Sequence, residues 1–124
     1  MHNLEHQPAM RILIIEDEPM IALDLQDLLE DAGFDVVGVA GKLDKAMQLI
    51  ASTPIDAAIV DANLGGVSSS PAAVALADRR VPFVVLSGYS LKQQDAAFPK
   101  ALFIQKPCRP AQLINALKAI RLQQ

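Results

Sequence analysis

Five side chains at four places along this 124-residue chain are of types suited to handling phosphate and a hard cation: Glu16 with Asp17, Asp61, Ser87 and Lys106. Each place follows directly on a short apolar run, RILII, IDAAIV, VPFVVL and ALFIQ in turn. Carboxylates crowded together repel and raise one another's pKa unless a cation neutralises them. An oxygen-only ligand set suits Mg²⁺, which usually keeps several waters and accepts a phosphate oxygen. A hydroxyl and a fixed positive charge facing the same point would hold the equatorial oxygens of a phosphoryl group during in-line transfer. Asp61 would then be the nucleophile and the product an acyl phosphate.

Each signal alone has a plainer explanation. Glu-Asp-Glu ahead of Pro19 favours a helix N-terminus through its dipole, and a lone Asp at a strand end is a cap or a solvated loop acid. Ser87-Gly88 is turn chemistry, and Lys106-Pro107 is a surface lysine before a kink. What points to chemistry is their joint placement, which depends on the elements between them.

Those elements alternate. Arg11 to Ile15 is too short for a helix and reads as a buried parallel strand. Pro19 suits a first helical turn, Ile21, Leu25, Leu28, Leu29 and Ala32 recur at helical spacing, and Gly33 supplies a stop. Asp35 to Ala40 is a second strand. Lys42 to Ser52 is a second helix, through Leu43, Ala46, Met47 and Ile50, ended by Pro54. Met20 and Met47 read as core filling. Ile55 to Val60 is a third strand, Asn63 to Ser70 a Gly/Ser-rich loop whose three serines are filler, and Pro71 to Arg80 an Ala-rich helix. Val81 to Leu86 is a fourth strand, Ser90 to Phe98 a short helix, Ala101 to Gln105 a fifth strand and Pro110 to Leu122 a last helix.

Five strands alternating with five helices imply an α/β, doubly wound (βα)5 fold with a five-stranded parallel sheet and right-handed crossovers. Ligands bind such sheets beyond the carboxyl ends of the strands, where the strand order reverses. The five chemical residues fall at those ends. Residues 1–9 read as a flexible lead and 10–124 as the domain.

The chain resembles the receiver domains of bacterial two-component response regulators, which have the flavodoxin-like form of this fold. The matching segments are ILIIEDEP (12–19), AAIVDANLGG (57–66), VVLSGY (84–89) and FIQKP (103–107). The resemblance implies phosphorylation at Asp61, with Glu16, Asp17, Asp61 and the backbone carbonyl of Asn63 holding Mg²⁺. Ser87 stands at the family's Ser/Thr switch position, Lys106 at its lysine, whose bond to the following proline is typically cis, and Phe103 at its aromatic switch. Phosphorylation would draw the Ser87 hydroxyl toward Asp61 and let Phe103 turn inward, reshaping the fifth strand and the helices flanking it; the plainer reading of Phe103 is a static core aromatic. PFVVLSGY is similar to the PFxFxTGY-like motif of alphaproteobacterial single-domain receivers, with Ser87 for Thr and Leu86 for Ala. Tyr89 would shield the acyl phosphate from water. Two departures, no proline in the loop after Asp61 and a short helix before the fifth strand, leave the contacts of the output face open.

The resemblance implies a sensor histidine kinase as phosphodonor, a histidine phosphotransfer protein as a further partner, and self-association through the last strand and helices. It implies signalling rather than enzymatic turnover. At 124 residues the chain fits one domain of the ordinary size, roughly 100–150 residues, so its output is expected from its own surface. Residues 1–62 hold twelve acidic and three basic side chains, and 63–124 two acidic and eight basic. That division suits an acidic metal pocket and a mildly basic face, with no basic stripe for direct DNA binding. No apolar run approaches the roughly 18 residues of a membrane span, and the single cysteine, Cys108, forms no internal disulfide. Both features are in keeping with a cytoplasmic protein.

Three rivals remain. An aspartate-nucleophile phosphohydrolase resembles others of its kind in a DxD pattern after the first strand, which is absent here. A flavodoxin-like cofactor module needs a phosphate loop where Glu16 and Asp17 stand. A receiver fold acting as an unphosphorylated binding scaffold would share every element of the sequence.

Overall fold

The computed structural model describes residues 8–88, Phe98 and residues 102–122. In chain order the elements are β1 (Arg11–Ile15), α1 (Pro19–Asp31), β2 (Asp35–Ala40), α2 (Leu43–Ser52), β3 (Ala57–Asp61), β4 (Asn63–Leu64), β5 (Val67–Ser68), α3 (Ser70–Asp78), β6 (Phe83–Ser87), β7 (Leu102–Gln105) and α4 (Pro110–Leu122). Five strands form one sheet in the order β2-β1-β3-β6-β7, with every neighbouring pair parallel. This is the parallel α/β sheet expected from the alternation, in the flavodoxin-like form the resemblance implies.

Its apolar runs are continuous because both faces are covered. Successive residues of β1 go to opposite sides: Ile12 and Ile14 pack with Leu29, Leu113 and Leu117 of α1 and α4, whereas Leu13 and Ile15 pack with Ile50 and Leu76 of α2 and α3. The order of the strands reverses between β1 and β3, so the acids that follow β1 lie beside the end of β3. The helix α1 opens on Pro19 and closes as a Schellman turn, with the Phe34 N–H bonded to the Leu29 carbonyl at 2.9 Å and Gly33 at φ +93°.

Several sequence expectations need correction. Met20 is 72% exposed and Met47 sits on the outer face of α2, so neither fills the core. The buried line of α1 runs through Ala22 and Leu29, with Ile21 and Ala32 turned to solvent. Asn63 to Ser68 is not a plain loop. It forms an antiparallel hairpin, β4 with β5, because Gly65 and Gly66 take φ +62° and +94°, the paired left-handed conformation a two-residue hairpin turn requires. The helix α3 ends at Asp78 rather than Arg80, which itself has φ +59° and cannot continue a right-handed helix.

The third and fourth main strands start two residues later than expected and include Asp61 and Ser87 as their last residues. Ladder pairing carries them there, Asp61 with Leu86 and Ser87 with Gln105. Four helices are present among the described residues; Tyr89 and all of the expected 90–98 helix except Phe98 lie outside them. So do residues 1–7 of the expected lead, while the Pro8 carbonyl accepts a 2.6 Å hydrogen bond from Arg121.

Candidate functional site

Three strand ends supply the charged groups. β1 stops at Ile15 and the chain turns toward β2, where the Glu16 N–H bonds to the Ala40 carbonyl at 2.9 Å. This turn leaves Glu16 only 2% exposed, with Asp17 beside it half-buried. Asp61 ends β3 and is 5% exposed. A carboxylate oxygen from each of Glu16, Asp17 and Asp61 lies within 4.8 Å of the other two. Lys106, the first residue past β7, reaches back with Nζ 2.9 Å from Asp61 Oδ2 and 3.7 Å from Glu16 Oε1.

The two oxygens of Asp61 are therefore held separately. Oδ2 takes the Lys106 ammonium, and Oδ1 accepts the Asn63 N–H at 3.2 Å. The Asn63 side chain is occupied within the hairpin, its Oδ1 accepting the Gly66 N–H at 2.6 Å. Ser87 ends the strand next to β3 and is 9% exposed; its carbonyl accepts the Lys106 N–H at 2.7 Å, and the Lys106–Pro107 peptide is cis. Phe103, on β7, is half-buried and meets Phe98 edge to face with ring centroids 5.9 Å apart.

Burial raises the Glu16 carboxyl to about 7, and the Asp61 charge adds to this while the Glu18 N–H and Lys106 pull the other way. Burial lowers the Lys106 ammonium, but the hydrogen bond and charge of Asp61, with the charges of Glu16 and Asp17, more than offset it and leave the pKa raised. Glu16 Oε2 accepts the Glu18 N–H at 3.0 Å, whereas the buried Oε1 has no hydrogen-bond partner. A buried unpaired acceptor aimed into a set of three carboxylates fits an oxygen-coordinated divalent cation.

One residue at this site escaped the sequence reading. Ser69 is fully buried and donates its hydroxyl to the backbone carbonyl of Asp61 at 2.6 Å. In a run of three serines nothing local separates Ser69 from its neighbours. Cys108 is half-buried against the α1 and α4 side of the core, and burial raises its thiol.

Comparison with known proteins bears on this arrangement. A family model for the response regulator receiver domain matches residues 12–118. The chain is 32% identical over 114 residues to the transcriptional regulatory protein PdtaR of Mycobacterium tuberculosis, covering 87% of this chain and 55% of PdtaR. It is 36% identical over 107 residues to the phyllosphere-induced regulator PhyR of Methylorubrum extorquens, covering 83% of this chain and 40% of PhyR. The chain thus spans about half the length of the curated relatives it matches. Among solved structures, SdrG from Sphingomonas melonis Fr1 has a TM-score of 0.78 at 40% identity, covering 93% of this chain and 98% of that one. The receiver domain of Erythrobacter litoralis PhyR has a TM-score of 0.82 at 25% identity, covering 94% and 92%.

Proposed function

Because the chain belongs to the response regulator receiver domain family, we propose that it is a phosphoacceptor switch of two-component signalling, phosphorylated on Asp61. The observation that carries this reading is the convergence of Lys106 on Asp61 at 2.9 Å inside a cluster with Glu16 and Asp17. A carboxylate oxygen of Asp61 attacks the phosphorus of a phosphohistidine on a sensor kinase. The new P–O bond forms as the P–N bond breaks, and the departing imidazole keeps the electron pair and takes up a proton.

Lys106 offsets the negative charge that accumulates on the phosphoryl oxygens, and the Asn63 N–H fixes the rotation of the Asp61 carboxylate. Glu16, Asp17, Asp61 and the Asn63 carbonyl would hold Mg²⁺, which when bound neutralises the carboxylates and the incoming phosphate. The Ser87 hydroxyl then binds a phosphoryl oxygen and Phe103 turns inward, changing the face around β7 and α4. The chain performs this single transfer and turns over no substrate. Two uses follow from the chemistry: onward transfer to a histidine phosphotransfer protein, and docking of a downstream protein on the altered face.

The test is intact mass after incubation with acetyl phosphate and Mg²⁺. The expected result is one phosphoryl adduct that requires Mg²⁺ and is lost in Asp61→Asn. A folded protein that stays unmodified with Mg²⁺ present would replace this reading with that of an unphosphorylated binding scaffold.

A further inference from the structure

The ladder between β1 and β3 ends at the pair Ile15 and Val60, one residue short of Asp61. β1 has to leave the sheet there, because Glu16 and Asp17 must turn into the cluster. The carbonyl of Asp61 is thereby deprived of a strand partner in the interior, where an unpaired acceptor is costly. The fully buried Ser69 hydroxyl fills that gap at 2.6 Å.

The same peptide unit is also held on its other side. The Ala62 N–H bonds to the Leu86 carbonyl at 2.9 Å, and in the next peptide unit the Ala62 carbonyl accepts the Ser69 N–H at 3.1 Å. The peptide between Asp61 and Ala62 is therefore gripped from β6 through its N–H and from the start of α3 through its C=O. That plane sets the direction in which the Asp61 side chain leaves the backbone and the path by which Asn63 returns to Oδ1. The grip reaches Asp61 across the hairpin, from a residue eight positions along the chain.

We infer that Ser69 is a positioning residue for phosphoryl transfer: its hydroxyl substitutes for the missing ladder bond and aims the Asp61 carboxylate. The inference rests on Asp61 being the phosphoryl acceptor. Small displacements of a reacting group lower rates steeply, whereas two of the three carboxylates that would bind the cation, Glu16 and Asp17, follow β1, and the Ser69 hydroxyl bonds to the Asp61 backbone rather than to its carboxylate. Ser69→Ala should therefore slow the chemical step while leaving Mg²⁺ affinity nearly intact.

The experiment follows adduct formation with acetyl phosphate by intact mass across a Mg²⁺ titration, in wild type, Ser69→Ala, Ser69→Cys and Ile50→Ala. The rate at saturating Mg²⁺ should fall about tenfold in Ser69→Ala, with half-saturation by Mg²⁺ moved less than about threefold. Ser69→Cys, which keeps a weak donor of similar size, should fall between the two. Ile50→Ala opens the core on α2 and lowers the melting temperature without touching this bond, so it should keep its rate within about twofold of wild type. If Ser69→Ala does not fold, the Ser69→Cys rate decides alone. A Ser69→Ala rate within about twofold of wild type, or no slower than Ile50→Ala, overturns the inference and leaves the acceptor reading standing. An unmodified wild type instead overturns the acceptor reading itself, and the inference with it.

Discussion

Lys106 Nζ lies 2.9 Å from Asp61 Oδ2 across a sequence separation of 45 residues, and the same ammonium stands 3.7 Å from the buried Oε1 of Glu16. Without it, two buried carboxylates would face each other uncompensated. Lys106→Met should lower metal-free stability at pH 8 by about 1–2 kcal/mol, a figure reduced from that of a fully buried pair because the lysine side chain is 30% exposed. It should also slow adduct formation by roughly tenfold or more. Urea unfolding and intact-mass time courses check the two parts, and an unchanged rate would remove Lys106 from the chemistry.

Glu16 gives the metal-free protein a specific pH dependence. Its carboxyl is raised from 4.5 to about 7, chiefly by burial, so between these values the folded state binds more protons than the unfolded one. Stability should therefore fall as pH rises through this window, by about 1–3 kcal/mol, and level off above it. Glu16→Gln should flatten the slope and be the more stable protein at pH 8 in EDTA. Parallel curves for the two proteins would show that Glu16 is ionised in the fold at pH 5.

Mg²⁺ should act in the opposite sense. Binding favours the ionised carboxylates, so the gain in stability should be larger at pH 8 than at pH 6 and reach about 2.7 kcal/mol at a hundredfold excess over Kd. Calorimetry in buffers of different ionisation enthalpy should detect proton release near pH 7. Thermal shifts equal at the two pH values, or absent, would contradict the assigned ligand set.

At the opposite end of the sheet, Arg11 grips Asp56 through Nε and Nη2, each 3.0 Å from a carboxylate oxygen, and through its backbone N–H at 2.8 Å. The Arg11 hydrogen bonds hold Asp56 below its ordinary value. A depressed carboxylate contributes stability that is present above about pH 4 and lost as pH falls through the folded pKa. Asp56→Asn should melt lower than wild type at pH 7, with the gap closing as pH falls through the folded pKa. A gap of constant size from pH 7 to pH 2 would mean that the ion pair contributes nothing pH-dependent.

Much of the fold and site was legible because strand ends carry both kinds of signal: a short apolar run sets the strand, and the polar residue that stops it is the one at the site. Pro110 to Leu122 was readable to the residue, since Pro110 opens a helix and Leu113 and Leu117 mark a single buried stripe. The first helix was less so. Met20, Ile21, Ala22 and Leu23 are apolar all round the first turn, and spacing alone does not say that Ala22 faces inward. The hairpin had a usable signal, Gly65-Gly66 between Leu64 and Val67, which was masked by the surrounding serines. Ser69 had none, because its role depends on where β1 departs from β3.

The position of β7 gives the site an order in time. During synthesis Glu16, Asp17 and Asp61 emerge early, but the ammonium that completes the pocket follows the outermost strand, close to the final helix. A nascent or truncated chain lacking that strand carries the acceptor without its counter-charge. On the proposed function, competence to take up phosphate is withheld until the sheet has closed on its far edge, so that the modification would mark completed folding as well.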